Sequence, residues 1–141
     1  MATTRSIIVR AETDEMPRAM SGIEECLETE GFSEEDILDM QLAVEEAVTN
    51  TIRYGYAGAP GTIAIRCTVE PDRATVEIAD DAPAFDPLKV PDPDLSADLD
   101  DRPIGGLGIF LLRKVMDDVA YRFTDNQNIL VLVKKKGAAD R

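Results

Sequence analysis

Histidine is absent from this chain, so imidazole metal ligation and any triad built on a histidine base are excluded from its chemistry. Basic residues are also scarce. Lys and Arg number 15 against 28 Asp and Glu, and the formal net charge of -13 argues against a broad cationic face for a nucleic-acid backbone. An anionic ligand must then be met by a bound cation or by local backbone donors, whereas a basic protein partner would be steered in by the charge. The two cysteines, Cys26 and Cys67, lie far apart in sequence and suit small buried thiols in a reducing cytoplasm better than a disulfide framework. No apolar run approaches the roughly 18 residues of a membrane span, and no charged-then-apolar leader is visible, so a cytoplasmic protein is expected. What the chain does have is length and apolar content: 141 residues at 44% hydrophobic suffice for one domain with a core of its own.

Hydrophobic periodicity divides that domain into elements. Ser6 to Ala11 is short and β-branched and reads as an edge strand. Met16, Ala19, Met20, Ile23 and Leu27 recur at helical spacing within Asp14 to Glu30, and Gly31 is placed to cap that helix. Ser33 with Asp36 resembles a capping box and starts a second helix, marked by Ile37, Met40, Val44 and Val48, that runs to about Arg53. Thr62 to Val69 alternates strictly, and Pro71-Asp72-Arg73 turns it into a strand from Ala74 to Ala79. Pro87 to Pro103 is rich in proline and aspartate, has no period, and is longer than a connector needs. A third helix follows Gly105-Gly106-Leu107-Gly108 with Leu107, Leu111 and Val115 on one face, and Val119 to Thr124 with Ile129 to Val133 closes the chain as a hairpin. No internal repeat is apparent. Gathered helices and a largely antiparallel sheet predict a two-layer α/β sandwich of the α+β class.

Three stretches carry polar groups that a core would not ask for. In "AVEEAVTN", Glu46 and Asn50 are one helical turn apart and flanked by Val44, Ala47 and Val48, which directs both along the edge of the core. A carboxylate there can deprotonate a hydroxyl, and an amide oxygen is a hard ligand for Mg²⁺, which takes few protein ligands plus substrate phosphates. The same residues fit an ordinary solvated helix face. In "VEIADDAPAFDPL" a strand runs into Asp80-Asp81, where a carboxylate at a strand end either accepts hydrogen bonds from a ligand or merely closes an Asx turn. "RPIGGLGIFLLRK" sets glycines at a helix start, which is either an anion site or a flexible loop tip. The dipole contribution to an anion there is worth roughly 0.3–2 kcal/mol, so other groups must add to it.

In this order, Glu46-x-x-x-Asn50 on a helix, Asp80-x-Ala82 with Phe85 and Asp86 after a strand, and Gly106-x-Gly108 opening a helix resemble the sequence boxes of the ATPase superfamily shared by gyrase, histidine kinases and a heat-shock chaperone. More narrowly, "AVEEAVTNTIRYGY", "DDAPAFDPL" and "GGLGIFLLRKVMDDVAY" are similar to the single-domain anti-sigma factor serine kinases, and the similarity covers nearly the whole chain. That resemblance implies a Bergerat-type fold, with a mixed, mostly antiparallel sheet and helices on one face. It makes 1–141 a single histidine kinase-like ATPase domain with an ATP lid at about 87–105. It also implies ATP and Mg²⁺, with Glu46 as catalytic base, Asn50 as the Mg²⁺ ligand and Asp80 accepting the adenine amino group. Ala82, Phe85, Gly105, Gly106, Leu107 and Gly108 would be further ATP contacts.

The implied activity is phosphorylation of an anti-anti-sigma antagonist, sequestration of a sigma factor, or both, with a homodimer as the common assembly of relatives. No direct nucleic-acid or membrane role is implied. Two positions depart from the pattern: Ala82 stands where the superfamily has glycine, and Tyr54 where close relatives often carry histidine. An ATP-gated protein-binding regulator without phosphotransfer, and a plain interaction protein that no longer binds nucleotide, are the alternatives.

Overall fold

The computed structural model describes residues 3–89 and 106–136, and of 106–108 the backbone alone. Five strands form one sheet in the order β1-β2-β3-β5-β4, with β1 at Thr3–Arg10, β2 at Thr62–Glu70, β3 at Arg73–Asp80, β4 at Asp118–Thr124 and β5 at Gln127–Lys135. Every pairing among the described residues is antiparallel. Three helices, α1 (Met16–Thr29), α2 (Glu34–Asn50) and α3 (Gly106–Val115), form the second layer. They pack α1 on α2 and α2 on α3, so the expected two-layer α+β sandwich is the observed architecture.

The ends of the helices follow from local chemistry. Gly31 at φ +81 takes the left-handed conformation that ends α1, with Gly31 N–H on Glu28 O and Phe32 N–H on Leu27 O. Phe32 and Leu27 are both buried, which supplies the hydrophobic contact of a Schellman turn. Two residues later Ser33 caps α2, its Oγ accepting from Asp36 N–H at 3.1 Å, and Glu34, Glu35 and Asp36 place negative charge on the positive end of the helix dipole. α2 does not run to Arg53 as an α-helix. After Asn50 it widens into a π turn over Thr51–Gly55, closed by Tyr56 N–H on Thr51 O at 2.8 Å.

Pleat decides what the sheet buries. On β2 the inward row is Ile63, Ile65, Cys67 and Val69, and on β3 it is Ala74, Val76, Ile78 and then Asp80. The last strand is present where expected, and its inward row is Asn128, Leu130 and Leu132, while Ile129, Val131 and Val133 are half-buried on the opposite face. The segment is apolar on both faces, so composition could not fix its phase. The β4–β5 turn fixes it, with Asp125 and Asn126 both at positive φ (53 and 60), the geometry of a two-residue I′ hairpin.

The expected stripe on the third helix is corrected. Ile109, Leu112 and Met116 are buried, whereas Leu111 is 39% exposed. A run as apolar as Ile109-Phe110-Leu111-Leu112 offers several stripes, and the choice falls to packing against α2. Cys26 and Cys67 are free and buried, as expected. Lys134 ties the layers together, its Nζ donating to Asp39 Oδ2 on α2 at 2.9 Å and to Val115 O at the end of α3 at 2.8 Å.

The cap on α2 gives a direct test. Ser33→Ala is expected to cost about 0.5–2 kcal/mol. In urea titrations this would appear as a lower midpoint at unchanged slope.

Candidate functional site

Two inward rows of the sheet end on polar side chains at the same level. Asp80 closes the row of β3 and Asn128 opens the row of β5, and the two residues are direct partners in the ladder. Each is 5% exposed. Asn128 Nδ2 donates to Asp80 Oδ1 at 2.9 Å, to Ala82 O at 3.0 Å and to Pro83 O at 3.2 Å. Its Oδ1 accepts from Phe85 N–H at 3.0 Å and from the Tyr121 hydroxyl. Three acceptors around one end of the amide and two donors around the other leave a single orientation that satisfies it. Asp80 Oδ1 also accepts from Ala82 N–H at 2.9 Å. The Asx-turn reading of Asp80 is therefore realised, but on one carboxylate oxygen only. Burial pushes the Asp80 carboxyl above its ordinary value, while the Asn128 amide and Ala82 N–H pull it back and Asp81 adds to the rise.

These residues floor a cleft lined by Asn50, Thr51, Asp80, Phe85, Tyr121 and Asn128 among others. Asn50, from the last turn of α2, is 4% exposed, so the solvated-face reading does not hold for it. Glu46 is brought near but not in. It is absent from the cleft lining, half-buried, and its Oε1 is shut away without a hydrogen-bond partner. Burial pushes its carboxyl up, with the Asn50 amide and Arg53 pulling the other way. The neighbouring Glu45 is exposed. The free space in the cleft is about 20 Å³, roughly the room of one water, so admitting a planar base requires its walls to draw back. A roomier cavity of about 340 Å³ lies between α1, β1 and β2, but the polar side chains around it, Arg5, Ser6 and Glu25, are exposed, and nothing there converges on a ligand.

Both departures from the family pattern have a local accommodation. Ala82 is buried, and its methyl points at Gly55 of the π turn, where an added Cβ would sit 3.3 Å from it. Tyr54 stacks on Phe85, with centroids 6.1 Å apart and planes at 29°. Phe85 is thus held by its N–H on Asn128 and its ring on Tyr54. Gly106 to Gly108 open α3, while Gly105, Arg102 and the span 90–105 of the expected lid lie outside the described residues. Sequence reasoning missed Asn128, Tyr121 and Thr51. The signal for Asn128 was its phase, two residues before Leu130 and four before Leu132, on a strand whose inward face the sequence left unassigned.

The family model described as the histidine kinase-like ATPase domain matches residues 9–134. Serine-protein kinase RsbW of Listeria monocytogenes is 31% identical over 106 residues, which is 72% of this chain and 68% of that protein. The chain belongs to the histidine kinase-like ATPase family, as an RsbW-like member. Serine-protein kinase RsbW of Bacillus cereus is 33% identical over 105 residues, covering 72% of this chain and 66% of that protein, so just under two thirds of that relative is spanned. A crystal structure of the RsbU and RsbW domains of Rv1364c from Mycobacterium tuberculosis superposes with a TM-score of 0.68 at 14% identity, over 95% of this chain and 32% of that one. It supports the fold of this histidine kinase-like ATPase domain and nothing finer.

The buried carboxyl of Glu46 gives a prediction with a definite sign. An acid whose folded pKa is raised favours folding when protonated, so its cost is absent below the ordinary value of 4.5 and complete above the raised one. Glu46→Gln is therefore expected to melt higher than the parent at neutral pH, and the gap is expected to close as pH falls below 4.5. Melting curves across that range check it, and a variant less stable at neutral pH contradicts it.

Proposed function

We propose that the cleft binds ATP and that the chain is an ATP-dependent protein serine/threonine kinase of the partner-switching type. Its substrate would be the serine or threonine hydroxyl of an anti-anti-sigma antagonist, and a sigma factor would be the protein it sequesters. The observation that carries the reading is Asp80: a buried carboxylate on a rigid strand end, one oxygen anchored and the other with acceptor capacity for the amino group of a base. The curated relatives named serine-protein kinase RsbW support the activity. We place the protein in the cytoplasm, consistent with its free buried thiols; among the described residues no helix is long and apolar enough to cross a membrane. A homodimer is the assembly we propose.

The residues at hand fit a magnesium nucleotide. Among the described residues no group of three or more His, Cys, Asp or Glu could hold a metal by itself, and Mg²⁺ ordinarily takes one or two protein ligands and completes its shell with phosphates and water. Asn50 would be that protein ligand, and the Glu46 oxygen that lacks a partner is a neighbouring polar group of the right kind. When bound, the cation supplies charge neutralisation for the transferred phosphoryl group. The chain's own part is to orient and to move a proton. Asp80 would read the base, Phe85 would cover it, and Glu46 would take the proton of the partner hydroxyl as its oxygen attacks the γ-phosphorus of ATP and the bond to the ADP oxygen breaks, releasing ADP. Its raised pKa makes Glu46 a stronger base than an exposed carboxylate while it remains ionised. The backbone at Gly106 to Gly108 supplies amides for the phosphates, which suits a chain of net charge -13 with few cations to spare.

Because Glu46 lies outside the cleft lining, a second reading is a regulator that binds ATP to control partner capture and transfers nothing. Side-by-side measurement of ATP affinity and phosphotransfer to a serine-bearing antagonist separates the two. Under the kinase reading Glu46→Gln lowers transfer by about 10²–10⁴-fold with little change in ATP affinity. Asn50→Ala instead weakens Mg²⁺-dependent ATP binding itself. Wild-type protein that binds ATP and captures its partner without transferring phosphate, with capture untouched in Glu46→Gln, would establish the second reading. Calorimetry should also give ATP at least about tenfold over GTP, since guanine presents a carbonyl to Asp80 and forfeits a charge-assisted bond. Equal affinities would refute the role of Asp80.

A further inference from the structure

Asn128 is the most heavily bonded side chain in the described residues around the cleft, yet neither the fold nor the phosphotransfer chemistry asks for an amide there. At the corresponding inward positions of the same strand stand Leu130 and Leu132, and a third leucine would have continued the core. A buried amide is tolerated when its donors and acceptors are satisfied, and here all are. The bonds do not go to the β5 backbone or to solvent. They go to Asp80 and to the turn that follows it, at Ala82, Pro83 and Phe85, with Tyr121 of β4 holding the far end of the amide.

Two consequences follow for Asp80. Its Oδ1 is occupied by two donors, Asn128 Nδ2 and Ala82 N–H, so the carboxylate cannot rotate freely about its Cβ bond and Oδ2 is left as the oxygen with capacity for a ligand. The same donor favours the ionised form in a place where burial disfavours it. A protonated Asp80 would offer a donor where adenine's amino group also donates, and recognition of adenine against a 6-oxopurine would be lost. Asn128 also joins the base-reading residue to the residue that covers the base, because the same amide fixes the Phe85 backbone.

We propose that Asn128 is a positioning residue that determines nucleotide specificity: it orients the Asp80 carboxylate and the turn 82–85 as one unit, so that the site accepts an amino-bearing purine and rejects an oxo-bearing one. The inference rests on the ATP reading of the cleft. The titratable groups that bear on Asp80 are Asp81 beside it, Tyr121 from β4 and, through Tyr121, Asp86 of the turn. From the helix layer the π-turn Thr51 hydroxyl faces it, and from β2 the apolar Ile63.

The test uses the full chain and measures calorimetric affinity for ATP and for inosine triphosphate, which carries a carbonyl oxygen in place of the amino group, as pH is lowered from neutrality. The variants are Asn128→Ala and Tyr121→Phe, and their melting curves identify any that fail to fold. Wild type is expected to prefer ATP by about tenfold or more, the value of one charge-assisted hydrogen bond. Asn128→Ala is expected to reduce that preference to within about threefold, mainly through weaker ATP binding, and to move the acid limb of ATP affinity to higher pH. Tyr121→Phe, which leaves Asn128 in place but removes one of the two donors to its Oδ1, should do both to a smaller extent, and it stands as the test if Asn128→Ala does not fold. A general loosening of the fold would weaken both nucleotides alike and leave the acid limb where it was, and that result overturns the proposal. If wild type binds neither nucleotide, the ATP reading falls and the proposal with it. If wild type discriminates and a folded variant discriminates equally well at an unmoved acid limb, the ATP reading stands and Asn128 is structural only.

Discussion

The arrangement around the cleft depends on one hydrogen bond, between the amide of Asn128 and the carboxylate of Asp80 across the β3–β5 ladder. Placing two polar groups at the ends of inward rows is costly unless each satisfies the other, because an unmatched buried polar group loses its hydration without recompense. Here each does. The charge of Asp80 is stabilised by a donor held rigidly on the neighbouring strand, and the turn beyond Asp80 is gathered by the other bonds of the same amide. Under the proposed reading the sheet would be the scaffold of recognition, and the helix layer would contribute Asn50 and Glu46 from one face of α2.

An acidic chain that is to take a polyphosphate, as proposed, would face an electrostatic conflict. A net charge of -13 repels an anion at long range, and screening at physiological ionic strength confines that repulsion to about 8 Å. Short-range interactions must then decide binding. The proposed backbone amides at a helix start, a cation held by few protein ligands, and a neutral base in an enclosed pocket would all act within that distance, and none of them would require surplus lysine or arginine. The excess negative charge would then be free to serve the attraction of a basic protein surface.

Much of this was legible in the sequence because it is local. Gly31, Ser33, the strict alternation of β2 and the turn at Pro71-Asp72 each act within a few residues, and each element they predict is present. Glu46, Asn50, Asp80 and Phe85 were singled out for the same reason, as polar or aromatic residues at spacings that a motif can capture; Asn50, Asp80 and Phe85 line the cleft and Glu46 lies beside it. What was not legible is phase. The row Asn128, Leu130, Leu132 and the stripe Ile109, Leu112, Met116 belong to segments apolar on more than one face, where only packing selects the buried side. Asn128 was overlooked because its significance lies 48 residues away in Asp80.

The contact between Ala82 and Gly55 bears on which sequences can share this fold. The methyl at position 82 takes up space that the π turn leaves open only because position 55 has no side chain, and a Cβ there would come within 3.3 Å. The two positions are thus constrained jointly. With alanine at 82 a larger residue at 55 would press on that methyl, whereas glycine at 82 would remove the contact. The order in which substitutions arise at the two positions, and not only their identity, would then bear on the paths open to the lineage.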